Sequence, residues 1–129
     1  MFAFSIQSQV IITEIADPNN DFQARFIELT NIGDSAFDLT GYQLVRWTNA
    51  NTAYTTSSAV DLSEFGSLQS KGILTLANNT KFETVYGVAP TKVIGSGGPA
   101  DSNGDDNLAI LDPNGCLLYT SDAADDCVC

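Results

Sequence analysis

Apolar and polar positions alternate along this chain in short runs, and nearly every run stops at a turn signal. Residues 9–15 (QVIITEI) are β-branched and end at the cluster Asp17, Pro18, Asn19, Asn20, Asp21. Residues 25–31 (RFIELTN) alternate strictly, with Phe26, Glu28 and Thr30 on one face and Ile27 and Leu29 on the other. Phe37 and Leu39 lead into a turn at Thr40 and Gly41, where glycine suits a positive φ or a close approach. Residues 42–48 (YQLVRWT) then predict a strand, followed by a loop at 49–51. Residues 53–58 and 59–62 predict short strands or an irregular edge, and 69–72 (QSKG) a polar turn. Residues 73–77 (ILTLA) predict a buried strand.

One short helix is predicted at 81–86, opened by the cap residues Asn78, Asn79 and Thr80 and stopped by Gly87. A short strand follows at 92–94, then a loop at 95–107 rich in Gly, Asp and Asn. Residues 108–111 predict a strand, and Asp112, Pro113, Asn114 and Gly115 a tight turn. Seven or eight short strands with one helical turn predict an all-β sandwich. There is no repeat at a fixed period and no interdomain linker.

Composition narrows the function classes. With 129 residues the chain suits one domain that can bury a core without metal or disulfides. Sixteen acidic residues face five basic ones, a formal net charge of −11. Such a chain repels phosphate backbones and anionic lipid, so neither nucleic acid nor a membrane surface is expected as a partner. Histidine is absent. That removes the commonest general base, the commonest metal ligand and every Ser-His or Cys-His pair. No apolar run approaches the about 18 residues of a membrane helix.

Both ends read differently from the body. Residues 1–8 (MFAFSIQS) are mostly apolar and end on a small residue, as the last part of a secretory signal does, with cleavage near Ser8 and Gln9. The positively charged opening of such a signal is missing, and an early first strand is the alternative. All three cysteines, Cys116, Cys127 and Cys129, fall in the last 14 residues, an odd number with no metal-motif spacing. Residues 116–126 (CLLYTSDAADD) resemble the in-frame translation of an adapter used to prepare sequencing libraries. The alternative is a genuine acidic tail. The expected organisation is a signal remnant at 1–8, a sandwich at 9–115 and an adapter-derived tail at 116–129. Removing Asp122, Asp125 and Asp126 with that tail leaves the balance acidic.

Several segments of the body carry a family resemblance. VIITEIA at 10–16, RFIELTNIGDSAFDLTGYQL at 25–44, LQSKGILTLANN at 68–79 and GSGGPADSNGDDNLAILDPNG at 95–115 resemble the lamin tail domain, and within it the bacterial branch found in exported multidomain proteins. The resemblance implies an immunoglobulin-like β-sandwich with one short helix and a non-enzymatic role. It further implies a binding or scaffold module of a secreted or cell-surface bacterial protein. Partners would be a protein or a surface polymer, beside other domains of the same parent. After the turn at 112–115 the family supplies one more apolar strand, a slot that Leu117, Leu118 and Tyr119 can fill.

Four candidate sites have a plainer alternative each. Glu14 and Glu28 lie mid-strand and read either as an acid/base pair or as structural carboxylates held by backbone N–H groups, Arg25 or Arg46. No nucleophile or base accompanies them, so no catalytic residue is expected. Asp101, Asn103 and Asp105 place oxygens at alternating positions, as a calcium loop does, with Asp112 twelfth in count. An EF-type loop needs glycine sixth, where Asp106 stands, and the alternative is a solvated acidic turn. No cofactor is expected, with calcium the candidate. Trp47, Tyr42 and Tyr54 read as a sugar-stacking platform or as core aromatics. The glycine run at 95–98 lacks the lysine and helix of a phosphate loop. Beside the plain binding module stand two other readings: an accessory domain of an extracellular nuclease or other hydrolase, and a calcium-dependent carbohydrate-binding sandwich.

Overall fold

A computed structural model describes residues 8–49 and 51–120. The candidate signal segment, apart from Ser8, lies outside the described residues, as does the tail beyond Thr120. Ten strands appear in chain order: β1 (Val10–Ala16), β2 (Phe26–Asn31), β3 (Phe37–Asp38), β4 (Gln43–Trp47), β5 (Ala59–Asp61), β6 (Ser67–Leu68), β7 (Ile73–Ala77), β8 (Lys92–Val93), β9 (Asn107–Leu111) and β10 (Leu117–Thr120). One helix, α1 (Phe82–Tyr86), follows β7.

The strands form two four-stranded sheets, ordered β1-β2-β7-β8 and β10-β9-β4-β5, with the ribbon β3-β6 beside them. All pairings are antiparallel except β7 with β8. The result is an immunoglobulin-like sandwich.

Alternation decides which side chains meet between the sheets. Ile27 and Leu29 of β2, Leu74 and Leu76 of β7, Leu44 of β4, and Leu108 and Ile110 of β9 all enter one core. Leu39 and Leu62, from the loops, are also fully buried there. Each such side chain contributes roughly 1.5–3 kcal/mol of burial. The opposite face of the second sheet is apolar too, with Val45, Ala109 and Leu111 buried beside Trp47, Ala59 and Leu117. This explains why β9 (NLAIL) reads as a continuous apolar run rather than a clean alternation.

Buried Asn31, the last residue of β2, fastens the turns around the core. Its amide donates to the carbonyls of Ser35 (2.9 Å) and Leu68 (2.8 Å), and its oxygen accepts from Gly33 N (2.9 Å). Gly41 has φ 81°, and a Cβ there would stand 3.0 Å from the Pro113 ring, so both reasons for glycine apply. Helix α1 ends where Gly87 turns left-handed and its N–H reaches the Glu83 carbonyl.

Of the two readings of residues 53–62, short strands or an irregular edge, the structure has the irregular edge over 53–58: Thr56–Ser58 is a 3-10 turn, and the edge strand is Ala59–Asp61. Local hydroxyl bonds among Thr55, Ser57 and Ser58 replace ladder pairing there. The loop at 95–107 also contains a 3-10 turn, Pro99–Asp101. Beyond the turn at 112–115, the Tyr119 hydroxyl donates to the Ile12 carbonyl at 3.2 Å, joining the second sheet to β1.

Candidate functional site

The sequence supplies few cations, so the way they are used sorts the carboxylates. Arg25 stands just ahead of β2, largely buried. Its Nε donates to Asp17 Oδ1 at 2.8 Å, its Nη1 to Asp101 Oδ1 at 2.8 Å and its Nη2 to Asn20 Oδ1 at 2.7 Å. The hydrogen bond to Asp17 is the chief reason the guanidinium pKa is raised, against an opposing effect of burial. Asp101 also accepts from Asn78 Nδ2 (3.2 Å) through Oδ1 and from Gly97 N (3.0 Å) through Oδ2. The network ties together the turn after β1, the end of β7 and the loop before β9.

Arg46 makes a second tie. Its side chain enters the core side of β4, where Nη1 meets Asp106 Oδ2 at 3.4 Å and Nη2 donates to the Gly97 carbonyl at 3.1 Å. Asp106 also accepts from Asn49 N at 2.9 Å. Two buried polar atoms have no partner among the described residues, Arg46 Nε and Asn78 Oδ1.

The calcium candidates are therefore distributed differently from a ligand shell. Both oxygens of Asp101 point at protein donors, while Asn103 and Asp105 are exposed. Among the described residues, no three His, Cys, Asp or Glu side chains are grouped to hold a metal. Of the aromatic candidates, Trp47 and Tyr54 meet edge to face with centroids 5.4 Å apart. Tyr42 is elsewhere, packed edge to face on Phe37 at 5.1 Å. Trp47 is half-buried against Val45, Ala109 and Leu111.

Glu14 and Glu28 are brought together as register partners of β1 and β2. They lie on the outer face of the first sheet, not inside it, so neither needs the arginines. This corrects the expectation that Arg25 or Arg46 would hold them. Glu28 accepts from Thr13 Oγ1 at 2.6 Å. The Glu14 carboxylate is exposed and makes no hydrogen bond or ion pair among the described residues.

Beside Glu14 the outer face forms an open groove of about 450 Å³, lined by Glu14, Ala16, Asp17, Pro18, Phe26 and Tyr86. Phe26 and Tyr86 stand edge to face, centroids 5.3 Å apart at 86°. The Tyr86 hydroxyl donates to the Ala24 carbonyl at 2.7 Å, which fixes the ring. Burial, then the charges of Glu14 and Asp21, raise the Tyr86 pKa. The sequence reading missed this groove. Its signal was Phe26, an aromatic on the polar face of an alternating strand, but nothing local showed that α1 would lie against it.

An immunoglobulin-like sandwich with loops fastened by buried arginines, and no grouped metal ligands among the described residues, defines a β-sandwich module. The sequence pattern of the Lamin Tail Domain family matches residues 5–123. The chain belongs to that family. No curated protein shows significant similarity to it.

Proposed function

We propose that the chain is a non-catalytic binding module of a secreted or cell-surface bacterial protein. It would hold a partner protein or a surface polymer near other domains of the same parent. The observation that carries this reading is family membership across residues 5–123. The chemistry agrees with it. The chain has no histidine, and its best-held carboxylates, Asp17, Asp101 and Asp106, are engaged in ties between loops. The paired Glu14 and Glu28 lie on an open sheet face with only the hydroxyls of Thr13 and Thr30 bonded beside Glu28 among the described residues, an arrangement that suits a structural role. The net charge of −11 argues for partners other than nucleic acid. Export is supported by the signal-like residues 1–8 and by the scarcity of charge in the body.

The exposed lysines Lys71, Lys81 and Lys92 offer a direct test. A membrane-impermeant amine cross-linker is applied to intact cells carrying the tagged parent protein. Discrete higher-mass adducts on intact cells or in the medium are expected. Adducts that form only after lysis would overturn the exported reading. Turnover of nucleic acid, glycan or ester by the purified module would overturn the non-catalytic one.

A further inference from the structure

In the groove beside Glu14, fixed aromatic side chains, apolar surface and acidic charge coincide. Phe26 and Tyr86 form the walls, and Ala16 and Pro18 line the floor. Tyr86 is 38% exposed, and Phe22 of the neighbouring turn is 47% exposed. Glu14 and Asp17 line this surface, the charge of Asp21 reaches Tyr86, and Arg25 is ion-paired to Asp17. Arg25 is already shared between Asp17 and Asp101, which leaves Glu14 with no counter-charge. Glu14 also faces Glu28 directly across the β1–β2 ladder, an arrangement of like charges that a sheet tolerates at a cost. A bound cation would relieve that repulsion.

Resting on the reading of the chain as a binding module, we infer that this groove is its partner site and that it takes a basic side chain, a lysine or arginine of a partner protein. The aliphatic stem would lie along Phe26 and Tyr86, as long cationic side chains do on apolar surface. The charged head would meet Glu14 and the edge of Asp17, with the aromatic rings adding cation–π attraction. Charge complementarity selects this occupant. An anionic or neutral apolar segment would bury the Glu14 carboxylate unpaired, which is costly.

The test is an amide-resonance titration of the module at 150 mM salt with the peptide acetyl-Gly-Arg-Gly-amide and its citrulline analogue, about 150 mM being enough to screen diffuse attraction. Citrulline keeps the shape and removes the charge. Saturable shifts at Ala16, Phe26 and Tyr86 are expected, with Kd on the order of 1 mM. The citrulline peptide should bind about tenfold more weakly, and Glu14→Gln should weaken the arginine peptide about threefold. Because the Glu14 side chain is exposed and its charge is repelled by Glu28, that variant keeps or slightly raises its melting temperature, so weaker binding cannot be misread as unfolding. Equal binding of the two peptides, or shifts that do not saturate, would overturn the proposal. So would shifts in these residues on concentrating the protein alone, which would assign the groove to a second copy. Saturable shifts on another face would remove this site while leaving the module a binder.

Discussion

Replacing Arg25 by methionine keeps the aliphatic stem and deletes the guanidinium, so it isolates the electrostatic tie. Three bonds of 2.7–2.8 Å are lost, to Asp17, Asp101 and Asn20. The partners are mostly buried, with side-chain exposures of 12% for Arg25, 18% for Asp17 and 23% for Asp101. Asp101 retains Gly97 N and Asn78 Nδ2, so it is weakened rather than orphaned. Asp17 keeps no comparable donor. A fully buried pair broken on one side costs about 3–5 kcal/mol, and an exposed pair about 0–1. Arg25 lies between these, nearer the first, and the expected loss is about 3 kcal/mol, or roughly 10 °C in Tm. Urea unfolding followed by the fluorescence of Trp47, the sole tryptophan, measures it. Lys71→Met is the internal control, because its ion pair with Asp34 is 63% and 102% exposed and 3.5 Å long, and its 2.6 Å bond to the Ile32 carbonyl is exposed too. It should change stability by less than about 0.5 kcal/mol. If Arg25→Met costs no more than Lys71→Met, the network does not hold the loops and the reasoning fails.

Three further outcomes follow from the packing. Asn31→Ala removes the bonds to Ser35, Leu68 and Gly33, of which the Ser35 carbonyl keeps the Gln9 amide as donor, so it should cost about 2 kcal/mol in the same urea assay; a loss below about 0.5 would contradict the role of Asn31. Gly41→Ala forces a side chain to φ 81° against Pro113 and should cost about 2 kcal/mol, whereas an unchanged midpoint would mean the turn relaxes freely. Tyr42 and Tyr86 are both raised above 10.0, chiefly by burial. The unfolded chain therefore loses these protons first, and stability is full below pH 10 and falls as pH rises through the folded-state values. Tyrosinate absorbance compared with that of Tyr42→Phe and Tyr86→Phe variants should assign both rings to a late-ionising phase, and ionisation of either at the ordinary value would contradict the burial.

The strands were legible because alternation is local. Residues 25–31 announced their two faces, and β2 has the burial pattern that the alternation implies. The helix stop at Gly87 and the constraint on Gly41 were legible for the same reason. The fasteners were not. Arg25 and Asp101 lie 76 residues apart, and Arg46 and Asp106 lie 60 apart. Acid spacing in the loop at 101–107 suggested an ion, because spacing records which oxygens are near one another but not which donors the fold brings to them. Glu28 was expected to be held by backbone N–H groups or an arginine, yet its side-chain donor is Thr13, which a bulge in the neighbouring strand brings to it. The groove needed two distant facts at once: the outward direction of Phe26 and the lie of α1 across the sheet.

The account turns on the loop carboxylates being fasteners of a recognition module rather than metal ligands. Thermal unfolding of the chelated protein, with and without 1 mM calcium, measures this most directly. At about 1 mM, a site with a dissociation constant near 10 μM would add about 2.7 kcal/mol, or roughly 10 °C. The account predicts one cooperative transition whose midpoint calcium leaves within about 1 °C, since Asp101 already serves Arg25, Asn78 and Gly97. A saturable rise of several degrees, abolished by Asp105→Asn and absent with magnesium, would contradict it and make the loop a calcium site.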